Sequence, residues 1–227
     1  MQSHADHWRA RPGSYDAVHA TQLYPADNEY GLPDLAPVPR SAVPDWLVPY
    51  RQRLRSGAGL AAGAVHFFLD DYRFETVWSR PRKALQYHAH FQTLLTPDFS
   101  LYRDWPLALQ LWNIYRSRWC GAFWQRQGFT VIPTVSWASP ESYAFCFAGL
   151  PSHSLLAVST VGTHKEAATR AFFLAGFEAM VERLSPSLVL CYGQPHAEMN
   201  SLADLRTYPA RWSGLSAARR KESQHGR

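Results

Sequence analysis

The chain is poor in lysine, poor in cysteine and free of long apolar runs. Of its 23 basic residues, Lys83, Lys165 and Lys221 are the lysines and the rest are arginine. The three cysteines, Cys120, Cys146 and Cys191, are scattered. So sparse and odd a set argues against a disulfide framework and fits a reducing cytoplasm. No CxxC or Cys/His cluster marks structural zinc. No stretch approaches about 18 uninterrupted apolar residues, so no transmembrane helix is expected. The opening segment, MQSHADHWRARPGSYD, has no apolar stretch and does not read as a signal peptide. Neither GxxxxGK[ST] nor GxGxxG occurs, which removes the Walker loop and the dinucleotide fingerprint.

What is present suits one domain. The chain has 227 residues, is 46% hydrophobic and holds nine Trp, ample material for a core. The net charge of +5 is compatible with a nucleic acid or phosphate ligand without requiring one. Much of the excess sits in Arg206, Arg211, Arg219, Arg220, Lys221 and Arg227, a basic end that either meets nucleic acid or stays solvated. Three parts are expected: a proline-rich irregular leader over 1–60, an α/β domain over 61–200 and a basic tail over 201–227. Prolines 12, 25, 33, 37, 39, 44 and 49 break any long helix in the leader, although a short one fits 45–55. Gly57 to Gly63 reads as a hinge.

Five apolar runs read as buried strands, at 64–69, 91–95, 129–135, 155–158 and 187–191. Helices are expected between them. One runs from an Asp104 N-cap through Pro106 to Gln127 and stops at Gly128. A second opens on the capping box Thr163-His-Lys-Glu166 and runs to Leu184. Short helices fit 82–91 and 140–147. Strands separated by helices imply a largely parallel sheet. The fold class is therefore α/β, with flanking helices and an open sheet or a partial, irregular β/α barrel.

In parallel α/β folds ligands bind beyond the carboxyl ends of the strands. Those ends carry Asp70 and Asp71, Asp98 and Ser100, Ser136 and Trp137, Ser159 and Thr160, and Tyr192. Asp70, Asp71 and Asp98 suit acid–base work or, as Asp70 with Asp98, a Mg²⁺ ion. The plainer alternative has Asp98 capping a turn and Asp71 pairing Arg73. Ser159, Thr160 and Gly162 precede a capped helix and suit an anion, or merely a well-made turn. Arg103, Asn113 and Arg116, with Arg118, gather at the first long helix, where arginine clamps phosphate or holds a loop. Trp137 suits stacking on a base or sugar, or core packing. His196 is the histidine placed to act as a base. His88-x-His90 offers two rings to a metal without a third ligand. Cys191, at a strand end, is a nucleophile or, more simply, a buried thiol.

The runs HFFLDDYRFE (66–75), LTPDFSLY (95–102), VIPTVSW (131–137), Phe145-Cys-Phe147 with Gly149, AVSTVG (157–162) and CYG (191–193) resemble a family of bacterial, phage and mobile-element proteins. That family is known only as a domain of unknown function. The likeness spans roughly 65–195 and omits the leader and tail. It implies that these motifs belong together. It brings no reaction, cofactor or site residue, and its mobile-element setting favours nucleic-acid or nucleotide work.

The expectation that follows is a hydrolase or transferase acting on a phosphate-containing or nucleic-acid substrate at the strand ends. Its rival is a non-catalytic nucleic-acid-binding protein of a phage or mobile element. Whether the protein is an enzyme stays open at this point, as do its Mg²⁺ dependence and oligomeric state. No membrane partner is expected, and a cytoplasmic setting is.

Overall fold

A computed structural model describes residues 16–52 and 60–210. Gly57 to Gly59 of the expected hinge, and Arg211, Arg219, Arg220, Lys221 and Arg227 of the basic tail, lie outside the described residues.

Seven short strands follow one another: β1 (Trp46–Pro49), β2 (Gly63–His66), β3 (Thr93–Leu95), β4 (Thr130–Ile132), β5 (Leu155–Ser159), β6 (Leu188–Tyr192) and β7 (Leu205–Tyr208). Every pair is parallel. β1 to β4 make one sheet and β5 to β7 another, each in chain order. Thr134 joins the two sheets through a bridge to Ala157, flanked by Val135 N–H to Ala157 O and Ala157 N–H to Pro133 O, both 2.8 Å. Between the strands come α1 (Thr76–Ser79), α2 (Pro81–Ala84), α3 (Leu107–Arg126), α4 (Tyr143–Cys146), α5 (Ala167–Leu184) and α6 (Met199–Leu202).

Alternation along the strands builds three layers. Leu155, Ala157, Leu188 and Leu190 point inward with Ala64 and Ile132. Leu156, Val158 and Val189 point outward onto Phe177, Met180 and Leu184 of α5. Val65, Leu94 and Val131 pack outward beside Trp119, Phe123 and Trp124 of α3. Both strand faces are covered, which is why these runs read as apolar throughout. The barrel does not close: among the described residues no ladder joins β7 to β1. Side chains span that gap instead. The Tyr208 hydroxyl donates to the Pro44 carbonyl, and Arg40 pairs with Asp204 at 2.6 Å.

The structure corrects four local expectations. Residues 46–49 form β1, not a helix, because they pair with Gly63–His66; a Cβ on Gly63 would fall 2.5 Å from the Trp46 ring. Residues 205–208, assigned to the basic tail, form β7 against β6. α3 starts after Pro106, whose extended backbone sets the boundary, and Asp104 lies in the Tyr102–Trp105 turn before it. Gly128 ends that helix at φ +91°, as expected. α5 starts at Ala167. The Thr163 hydroxyl that was to cap it donates instead to Thr160 O.

The His88-x-His90 pair also separates, since His88 is fully buried and His90 exposed. His88 sits 5.2 Å from the Trp124 ring and 5.5 Å from Tyr50, and neither ring nitrogen has a partner among the described residues. Burial lowers its pKa to about 4. An unfolded histidine titrates near its ordinary 6.5, so the unfolded state takes up this proton first on acidification. His88 therefore costs nothing above pH 6.5 and removes about 3 kcal/mol of stability as pH falls from 6.5 to 4. Subtracting the pH–stability curve of His88→Phe from that of the wild type isolates this slope. A flat difference between pH 4 and 7 would show that His88 takes up a proton in the folded state.

Candidate functional site

At the carboxyl ends of β2, β3, β4 and β5 lies a groove of three adjoining parts that share lining residues. The first, of about 320 Å³, is walled by Phe68, Asp70, Arg73, Asp98, Ser159 and Val161. The middle part, of about 120 Å³, shares Asp98 and Ser159 and adds Ser136, Trp137 and Phe173. The far lobe, of about 210 Å³, shares Trp137 and Phe173 and adds Tyr102, Arg103, Thr163 and Phe172. Asp98 and Trp137 thus both line the middle part.

Asp98 is held by a clamped loop. Thr134 fixes its start: its N–H donates to Thr96 Oγ1 and its hydroxyl to Thr96 O, both 2.8 Å. Ser117 and Asn113, one turn apart on α3, reach either side of Asp98. Ser117 donates to Pro97 O at 2.8 Å and Asn113 to Ser100 O at 2.7 Å. Asp71 accepts from the Ser100 N–H and hydroxyl. Gly121 permits the close fit, since a Cβ there would meet Thr96 at 2.8 Å.

Asp98 opens to the groove on one side and is enclosed by protein elsewhere. Burial raises its carboxyl to about 7, helped by the nearby Asp71 and opposed by a hydrogen bond from Ser136. A carboxyl balanced near neutral pH can give or take a proton at working pH. Arg73, on the same wall, has no salt bridge among the described residues. The expectation that Asp71 pairs with it is corrected: Asp71 is used by Ser100.

The other expected site residues divide clearly. Asp70, Asp98, Ser136, Trp137, Ser159 and Arg103 line the groove. Asn113 and Arg116 stand behind it. Arg116 pairs with Glu75 at 3.0 Å, donates to Asn113 at 2.6 Å and lies 3.8 Å from the Phe99 ring centre. Arg118 is fully buried, so it cannot meet a ligand at the surface. Thr160 is buried against Tyr192 O, and Tyr192 stacks 4.9 Å from Phe68, behind the groove wall. Gly162, at φ +88°, makes the turn that precedes α5.

His196 is buried and fully engaged. Its Nε2 meets the Thr163 hydroxyl at 2.8 Å, and its Nδ1 accepts from Arg170 Nε at 3.3 Å. Burial, His164 (stacked at 3.9 Å) and Arg170 together lower its pKa, and the ring braces Thr163 through Nε2. Cys191 is buried with its thiol pushed up to about 11, which makes it inert rather than nucleophilic. No three His, Cys, Asp or Glu converge as a metal set among the described residues. No described helix is long and apolar enough to cross a membrane.

Sequence reasoning missed Arg73, Phe68, Phe173 and Gly176. A Cβ on Gly176 would fall 2.1 Å from Trp137 Nε1, so this glycine lets the indole lie against α5. Phe173, three residues earlier on the same helical face, meets Trp137 at 5.3 Å. The signal was a glycine inside an apolar helix beside an aromatic pair.

Comparison with known proteins finds phage relatives. The Gene 1 protein of Mycobacterium phage D29 is 42% identical over 210 residues, covering 91% of this chain and 76% of that protein. The Gene 1 protein of Mycobacterium phage L5 is 42% identical over 208 residues, covering 91% of this chain and 90% of that protein. No solved structure matches. One family model matches residues 24–209, a wider span than the motifs at 65–195, and takes in β1 and β7. The chain belongs to that family, which is described as a domain of unknown function, DUF4417.

Proposed function

We propose that the protein is a hydrolase or transferase that acts on a phosphate-containing substrate in the Asp98 groove. One observation carries this reading: a carboxyl with its pKa near 7 shares a pocket wall with Arg73, a cation with no salt bridge among the described residues. Arg73 would neutralise the phosphate oxygens. Asp98 would hand a proton to the leaving oxygen, or take one from the attacking group, with Ser136 holding the carboxylate form. Asp70, on the same wall, would pair with Asp98 around any Mg²⁺ carried in with the phosphate. The phage Gene 1 relatives agree with a phage-type setting and name no reaction.

A thermal-shift screen tests this, because a ligand of the native state raises its stability by mass action. The panel is Mg²⁺, nucleotides, sugar phosphates and short DNA and RNA, followed by turnover assays on whatever binds. Arg73→Gln is expected to weaken a phosphate ligand about tenfold. No shift with any phosphate compound, or a shift indifferent to Arg73→Gln, would overturn the reading. Binding of oligonucleotides alone, without turnover and lost in high salt, would establish the nucleic-acid-binding alternative instead.

A further inference from the structure

We infer that the far lobe of the groove seats a nucleobase, so that the substrate is a nucleotide unit whose phosphate reaches Asp98 and Arg73. The assignment rests on the proposed phosphate site and adds the other half of the ligand.

The floor of the lobe is an aromatic platform. Trp137 lines both the middle part and the far lobe, with Phe173 tilted 35° to it at 5.3 Å. Phe147 meets the Trp137 ring edge-on at 6.3 Å. The platform needs Gly176, since any side chain there would strike the indole. At the rim, the Arg103 guanidinium lies 4.2 Å from the Phe172 ring centre, an arrangement suited to a planar, electron-rich group.

The polar groups around the platform decide between a base and a sugar. A sugar needs several hydrogen-bonding partners for its hydroxyls. Here the Thr163 hydroxyl is committed to Thr160 O and His196, and that of Thr169 faces Glu166 at 3.5 Å. The Ala138 N–H is taken by the Ser142 hydroxyl. Beside the π-face the lobe offers the Tyr102 hydroxyl and the Arg103 guanidinium, few partners for a sugar's several hydroxyls and enough for the edge of a stacked base. Stacking of this kind is tolerant, because every base has a π-face. The lobe therefore accepts all four bases with similar affinity.

The test titrates the intact protein with the nucleoside monophosphates, the matching nucleosides and ribose 5-phosphate. Nucleotides are expected to bind about tenfold tighter than ribose 5-phosphate, with little difference among bases. Trp137→Ala should erase that advantage and leave ribose 5-phosphate binding unchanged, while Trp137→Phe keeps most of it. Gly176→Ala should act like Trp137→Ala; if it fails to fold, the Trp137 pair still decides. Equal binding of nucleotide and ribose 5-phosphate, or an advantage that survives Trp137→Ala, would overturn the assignment. Nucleosides binding as tightly as nucleotides would uphold the base lobe and overturn the phosphate site. Binding of none of the three would overturn both.

Discussion

Asp98→Asn is expected to cut turnover by orders of magnitude and, at pH 8, to raise the thermal midpoint. The two effects share one cause. The folded-state carboxyl titrates near 7, whereas an unfolded aspartate titrates near 3.8. Between those values the folded state holds a proton that the unfolded state has released. Stability contributed by this group is therefore present below pH 3.8 and lost as pH rises through 7. By pH 8 the ionised side chain costs on the order of 2 kcal/mol, allowing for its side open to the groove. Asparagine has nearly the same shape and can still accept from Ser136, but carries no charge to desolvate. Its midpoint should exceed that of the wild type by about 5 °C at pH 8 and match it near pH 4. Turnover should fall by about 10² to 10⁴, the usual contribution of a general acid or base. A lower midpoint at pH 8 would show a carboxylate that serves the fold, as a turn cap does.

Which parts were legible follows from where the information lies. Buried parallel strands announce themselves as apolar runs, and a parallel sheet puts its ligand at their carboxyl ends. The place of Asp98, Ser136, Trp137 and Ser159 on the groove wall is therefore legible from order along the chain alone. β1 and β7 were not. β1 is a three-residue apolar run closed by Pro49 within a proline-rich stretch, and β7 places exposed Arg206 and Thr207 side by side, without alternation, inside a basic segment. Their strand character comes from the neighbours they pair with. The spacing of Asn113 and Arg116 correctly put them on one helical face, but nothing local says whether that face meets solvent or the Asp98 loop. Thr163 reads as a cap until Thr160 and His196 claim its hydroxyl. Arg73 was assigned to Asp71 by proximity in sequence, while Ser100 is the partner the fold delivers.

The largest loss of stability is expected at Arg118. Its guanidinium is fully buried, with Nε donating to Ala148 O at 3.2 Å and an Nη to Cys146 O at 2.6 Å. Burial lowers its pKa to about 10, so it stays charged at neutral pH. The two carbonyls bracket Phe147 at the end of α4, where helical carbonyls lack partners of their own. Arg118 thus ties α3 to the segment whose Phe147 braces Trp137. Arg118→Ala removes the donors, strands two buried acceptors and leaves a cavity. Together these should cost about 4 kcal/mol. Arg118→Met keeps most of the volume and avoids the desolvation of a charge, but still strands the carbonyls. It should cost about 2 kcal/mol. Urea unfolding of both variants separates the two contributions. Near-wild-type stability in Arg118→Ala would mean that α4 and Phe147 are held without this arginine. Equal losses in the two variants would assign the whole effect to the missing hydrogen bonds. The graded outcome, Ala worse than Met and Met worse than wild type, is the one that packing and polar pairing together require.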